Sequence, residues 1–274
     1  SRHLRERLQR EILGNVSIRL AETGSPDELE VAGRGELQLA VLIESMRREG
    51  YELQVSRPEV ITKVIDERKH EPLERGVVDV PDEHVGTVTQ TLAPRKGVVT
   101  DLRPGDPGRT IVTFEAPARG LIGFRSLLLT QTRGTALLHT HHGGWIPWVG
   151  DLPHRQGGAM VSDRLGSTTS YALDSLQLRG ELFVGPGEQV YEGMVVGENS
   201  RAGEMIVNAV REKEKTNIRT HSHDEGAKLA PPRVHTLETA IEFIADDELV
   251  EVTPSNVRIR KRVLKEQDRR RLKR

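Results

Sequence analysis

Residues 118–134 read ARGLIGFRSLLLTQTRG, with Gly120 and Gly123 at the start of an otherwise helical pattern and Arg119 and Arg125 beside them. Glycine costs a helix interior about 1 kcal/mol relative to alanine, so two at a helix start need a physical reason. Backbone N–H groups at a helix N-terminus, joined by guanidinium groups, hold anions and above all phosphate. A helix pressed closely on a sheet leaves no room for a Cβ, and that packing role is the expectation for Gly123 and for Gly86. Histidines cluster at His139, His141 and His142, and again at His221 and His223. The first group has no helical i, i+4 pair and no acidic ligand until Asp151; a zinc site needs three or four convergent donors with support around them, so loop histidines are the default reading and no metal is expected. The stretch from Arg211 to Lys228 is long for a loop inside a compact domain. Its Arg211, Lys213, Lys215, Arg219 and Lys228 make it either a finger reaching for RNA phosphates or a solvated loop. In VRIRKRV the period of two puts Arg258, Arg260 and Arg262 on one strand face. That density favours a polyanion, while the acidic EFIADDELVE just before it offers internal partners.

Other chemistries are excluded by what the chain lacks. It has no Gly-Lys pair, hence no P-loop, and neither G-x-S-x-G nor H-E-x-x-H. It has no cysteine, which removes disulfides, thiolate metal sites and cysteine nucleophiles and fits a reducing, cytoplasmic setting. The net charge is −1 with 30% charged residues, so any nucleic-acid contact must come from local segregation of charge. Aromatics are 3%, leaving few rings to stack on unpaired bases. No apolar run approaches the roughly 18 residues of a membrane span, and SRHLRERLQREIL is a charged amphipathic pattern rather than a signal peptide. ARGLIGFR resembles the anion loop of acylphosphatases, small ferredoxin-like enzymes. That family also needs an asparagine on a following strand, and there is none from Ser126 to Glu198. RGLIGF partly mimics the RNP1 motif of RRM domains, but Leu121 stands where a ring is required. A phosphate contact by Arg119 and Arg125, without catalysis, remains open beside ordinary solvation.

The elements that must position these residues follow from periodicity. A helix over 3–13, strands in NVSIRLAE and ELEVAGRG, a helix carrying Leu39, Leu42, Ile43 and Met46, and a strand in YELQVS make a split βαβ unit lacking its first strand. Residues upstream are expected to supply that strand. After Pro58 come EVITKVID and ERGVVDV as strands, a helix with Asp82 as N-cap, VVTDL and RTIVTFEAP around RPGDPG, a second helix, and TALLHTHH. HVGTVTQTLAPRKG and LIGFRSLLLTQTRG repeat one another, with Gly86 over Gly123 and Lys96-Gly97 over Arg133-Gly134. From about residue 144 short strands in GAMVSD, TSYALDSL, ELFVGPGEQVYEGMVVGE and EMIVNAV suggest a small barrel or curled sheet. A helix opened by Thr236, two more strands and a basic tail follow. The expected class is α+β: a truncated ferredoxin-like domain (1–58), a complete one (59–143), and a β-rich, barrel-like C-terminal domain with one main helix (144–274).

Four segments carry a resemblance: GRGELQLAVLIESMRREGYELQVSRPEVI, ARGLIGFRS, GELFVGPGEQVYEGMVVGENSR and DDELVEVTPSNVRIRKR. Together they resemble the C-terminal half of the BipA/TypA family, bacterial translational GTPases related to elongation factor G. The resemblance implies that 1–58 matches domain III, 59–143 domain V, and the rest the family's own C-terminal domain. GTP and magnesium would belong to an N-terminal domain absent here, leaving this chain without cofactor or catalysis. It also implies the 70S ribosome as partner, with a role in stress adaptation and ribosome assembly, and neither DNA nor membrane. The C-terminal domain would reach 23S rRNA and the acceptor arm of A-site tRNA. Lys213, Lys215, Thr216, Asn217 and Arg219 match the loop the family points there, although Glu214 interrupts the basic run. The rival readings are an acylphosphatase-type enzyme on the second module, or a protein-interaction module without RNA contact.

Overall fold

The computed structural model describes residues 2–25, 27–152, 155, 157–213 and 228–272. In chain order the elements are α1 (Arg2–Gly14), β1 (Arg19–Glu22), β2 (Leu29–Ala32), α2 (Glu36–Arg48), β3 (Leu53–Ser56), β4 (Lys63–Ile65), β5 (Arg68–Pro81), α3 (Val85–Leu92), β6 (Val98–Pro104), β7 (Arg109–Pro117), α4 (Phe124–Gln131) and β8 (Leu137–Pro147). There follow β9 (Gly158–Ser162), β10 (Gly166–Ser167), α5 (Ser170–Gln177), β11 (Gly180–Leu182), β12 (Gln189–Val190), β13 (Val195–Asn199), β14 (Met205–Val207), α6 (Leu237–Phe243), β15 (Glu248–Val252), β16 (Val257–Lys261) and α7 (Glu266–Leu272). They form two compact units, residues 58–154 and residues 1–57 with 155–274.

In the unit 58–154, β5 lies between β7 and β8, and β6 pairs the far edge of β7, all antiparallel. The lateral order β8-β5-β7-β6, with a helix after β5 and another after β7, is the ferredoxin-like arrangement of two interleaved βαβ halves. Alternation along β5 and β7 sends Val78, Val80, Val112, Phe114 and Ala116 inward, where Val88 and Leu92 of α3 and Phe124 and Leu128 of α4 cover them. The sequence repeat survives at the helix ends. Lys96 and Arg133 both adopt left-handed backbone, φ 59° and 52°. The next amide closes on a carbonyl five residues back, Gly97 on Leu92 at 3.0 Å and Gly134 on Leu129 at 2.7 Å.

The helix starts differ: the packing role expected for Gly86 is overturned, and at Gly123 the backbone conformation itself calls for glycine. A Cβ at Gly86 would meet nothing within 4 Å. Gly123 is the N-cap of α4 with φ 69°, a conformation that costs an L-residue about 1–2 kcal/mol. The close approach is at Gly120, where a Cβ would stand 2.5 Å from the carbonyl oxygen of Arg95. Gly86→Ala is therefore expected to stabilise the unit by up to about 1 kcal/mol, whereas Gly123→Ala destabilises it; urea midpoints followed by tryptophan fluorescence check both. Asp82 does not cap α3. It begins a 3₁₀ turn, Asp82–His84, and accepts the Thr110 hydroxyl at 2.7 Å.

In the other unit, β1 and β2 form a hairpin, and Leu8 and Ile18 pack with Leu42 and Met46 of α2. Strand β3 pairs with β15, which also pairs β16, so one sheet joins residues from both ends of the chain. A second core runs across this join, with Ala40 of α2 meeting Val161, Ala240, Ile241, Ile244, Val250 and Ile259. Beyond it lies a sheet of order β11-β13-β9-β14, in which β9 and β14 are parallel, and a separate β10–β12 pair. The barrel expected here is corrected: among the described residues these sheets stay open, because strands of two to five residues are too short to curl round and close. Nor is there one main helix. TSYALDSL, expected as a strand, is α5, capped by the Thr169 hydroxyl on the Ala172 amide at 3.1 Å and burying Ala172, Leu173 and Leu176. The basic tail contains α7, whose buried Arg269 is bonded to Glu204 at 2.8 Å.

A fully buried carboxylate and a half-buried imidazole stand out in this unit. Glu248 is fully buried at the start of β15 and accepts two bonds from Arg155 (2.7 and 2.9 Å), one from Lys261 (2.9 Å) and one from the Ala245 amide (2.9 Å). His235 sits edge-on to Phe183, 4.5 Å between ring centroids, with neither ring nitrogen hydrogen-bonded. Burial, and then the charge of Arg233, hold its imidazole down at about 4, against an ordinary 6.5. The unfolded chain therefore binds more protons between those values, so the contribution is full above 6.5 and is lost as pH falls toward 4. His235→Phe is expected to flatten that part of the stability–pH curve, read from urea midpoints by circular dichroism, without loss of stability at neutral pH.

Candidate nucleic-acid interface

The structure separates the predicted cations into pinned and exposed sets. Arg119 is pinned: its Nε and Nη2 reach the buried carboxylate of Glu71 at 2.5 and 3.1 Å, Nη2 also donates to the Gly150 carbonyl, and the guanidinium lies 3.8 Å from the Trp148 ring centroid. A cation so satisfied is an internal brace of β5, and the phosphate role expected for it is corrected on that ground. The loop that resembles an acylphosphatase anion site thus has its first arginine turned inward. Arg125 is exposed, with one bond to the Leu138 carbonyl at 3.1 Å.

On β16 the alternation holds, with Ile259 and Lys261 buried and Arg258 and Arg260 on the other face. The acidic neighbour does pair with part of this stripe. Arg260 donates to Gln54 at 2.7 Å and lies 3.6 Å from Glu251, which also accepts the Tyr191 hydroxyl at 2.7 Å. Arg258 is half-buried, and Arg262 is exposed just past the strand. Lys215, Thr216, Asn217, Arg219, His221 and His223 lie outside the described residues. His139 and His141 project from β8 opposite Val77 and Arg75. Among the described residues no group of three or more His, Asp or Glu converges as a metal would require.

What the structure does bring together is Arg211, Lys213 and Lys228, all exposed, at the two ends of α5. The Thr169 hydroxyl, besides capping α5, donates to the Arg211 carbonyl. At the other end the Gln177 side chain donates to the Lys228 carbonyl at 3.2 Å and accepts the Ala230 amide at 3.0 Å. One helix of eight residues thus clamps both flanks of residues 214–227. The Arg211 guanidinium stands 5.8 Å from the ring centroid of Tyr171, which is 44% exposed. Among the described residues, Arg211, Lys213 and Lys228 have no ion-pair partner. Their positive charge faces solvent, diluted by Glu212 and by Asp174, which holds the Gln177 amide at 2.9 Å. Tyr171 escaped the sequence reading because alternation in TSYALDSL suggested a strand. The Thr169 cap followed by apolar residues at 172, 173 and 176 was the available signal.

Two family models match adjoining stretches of the chain. Residues 157–266 match the TypA/BipA C-terminal domain, and residues 68–156 match the elongation factor G C-terminus. The chain is 48% identical over 277 residues to the large ribosomal subunit assembly factor BipA of Escherichia coli (strain K12). It is 46% identical over 275 residues to the protein of that name from Haemophilus influenzae, and 43% over 270 residues to that of Bacillus subtilis (strain 168). These matches cover 98–100% of this chain and 44–45% of the relatives, so the chain spans a little under half their length. Two adjoining domain matches and this level of identity place the chain in the BipA/TypA family, as the C-terminal part of such a protein.

Proposed function

We propose that this chain is the ribosome-docking portion of a translational GTPase, and that the large ribosomal subunit is its partner, as the relatives' name suggests. The observation that carries the reading is the exposed set Arg211, Lys213 and Lys228, unneutralised among the described residues, with the Arg211 and Lys228 carbonyls bonded to the two ends of α5. Phosphate contacts of this kind fix position and register without chemistry. On this reading the C-terminal domain meets 23S rRNA and the acceptor arm of A-site tRNA, with Arg258 and Arg262 as secondary cations, while Arg125 is a separate candidate on the unit 58–154. Residues 1–58 act as a domain III-like part joined by β-pairing to the C-terminal domain. GTP and magnesium bind elsewhere in the intact protein, whose cytoplasmic work is ribosome assembly and stress adaptation. Sedimentation of this chain with purified large subunits at two ionic strengths tests the proposal. Co-pelleting at low salt that falls steeply at high salt supports it, since phosphate contacts release counterions. Salt-insensitive pelleting would instead indicate a protein partner.

A further inference from the structure

We propose that Tyr171 is a stacking platform for an unpaired RNA base, so that the RNA taken at this site is single-stranded where it meets α5. The inference rests on reading the site as an RNA interface and names the kind of RNA. The chain has nine rings: four Phe, two Trp and three Tyr. Phe114 and Phe124 are buried against one another, and Phe183 and Phe243 enclose His235. Trp145 lies under Lys63, Trp148 under Lys69 and Arg119. Tyr191 is bonded to Glu251, and Tyr51 packs against the core of α1 and α2. Tyr171 alone among the nine is exposed. It stands on the helix that clamps Arg211 and Lys228, beside the Arg211 guanidinium. In so aromatic-poor a chain, a ring presented to solvent with a guanidinium at it has the composition of a single-strand site, where a ring takes the base face and cations take the phosphates. A-form duplex offers no such free base face, because its bases are already stacked.

The test uses this chain with two probes, a single-stranded RNA oligonucleotide carrying 2-aminopurine and a blunt RNA duplex of similar charge. The wild type is expected to bind the single strand and quench the 2-aminopurine. Tyr171→Ala should weaken that binding about tenfold and abolish the quench, while Tyr171→Phe keeps both and the duplex affinity is unchanged. Circular dichroism confirms that each variant is folded. Equal single-strand affinity and quench in Tyr171→Ala, or equal weakening for the duplex, overturns the stacking role while leaving the cationic interface standing. Failure of the wild type to bind either probe overturns both.

Discussion

Glu248→Ala is expected to lower the unfolding free energy of the unit that contains it by about 3–5 kcal/mol, the usual cost of removing one partner from a buried charge group. The carboxylate is fully buried and holds Arg155 through two bonds and Lys261 through a third. Its loss strands Lys261, itself buried, with Asp247 at 2.9 Å as its remaining carboxylate. Arg155 keeps a bond to the Phe243 carbonyl at 3.2 Å and its place over the Phe243 ring. The cost comes from breaking the group, so replacing Glu248, Arg155 and Lys261 together with apolar residues of similar volume should recover most of it. Burial pushes the Glu248 carboxyl up, but Arg155, Lys261 and the Ala245 amide outweigh burial and hold it below the ordinary carboxylate range. A depressed carboxyl contributes stability that is present above its unfolded pKa and is lost as pH falls through its folded one. Wild type should therefore lose stability on acidification below the ordinary carboxylate range, and Glu248→Ala should show less of that loss. Both tryptophans lie in residues 58–154, so circular dichroism, not tryptophan fluorescence, follows this unit.

Legibility from sequence divides along the range of the interactions. The ferredoxin-like unit could be read because its signals are local: alternation along β5 and β7, and two helix ends with a basic residue and glycine in the left-handed turn. The pairing of β3 with β15 could not be read, since two short strands far apart in sequence carry no mark of each other. Short strands and Gly-Pro turns foretold sheets but not whether they would close. At the candidate site the types of residue were legible and their state was not. Arg119 and Arg125 look alike in sequence, yet Glu71, on a strand far upstream, neutralises only the first. Arg260 and Arg262 share a period, yet only Arg260 has Gln54 and Glu251 within reach. Tyr171 was hidden by a strand-like alternation that the Thr169 cap and the core contacts of α5 override.

The second large effect concerns the cations themselves. Each phosphate contact with single-stranded nucleic acid contributes about 0.7 to the slope of log K against log salt. Arg211, Lys213 and Lys228 together would then supply about 2 units of slope, which at 0.1 M salt is roughly a hundredfold in affinity. Reversing all three to glutamate should cost at least that. Because the three side chains are exposed, the fold should be unaffected. Reversal at Arg119, by contrast, should damage folding through Glu71 and say nothing about RNA.

The most direct measurement is the affinity of this chain for purified large ribosomal subunits across a salt series, for wild type and for Arg211→Glu/Lys213→Glu/Lys228→Glu. The wild type should show a steep salt dependence, and the variant a slope shallower by about 2 with binding at least a hundredfold weaker at 0.1 M salt, on the order expected for three phosphate contacts. Equal slopes and equal affinities would contradict it, because Arg211, Lys213 and Lys228 would then carry none of the binding.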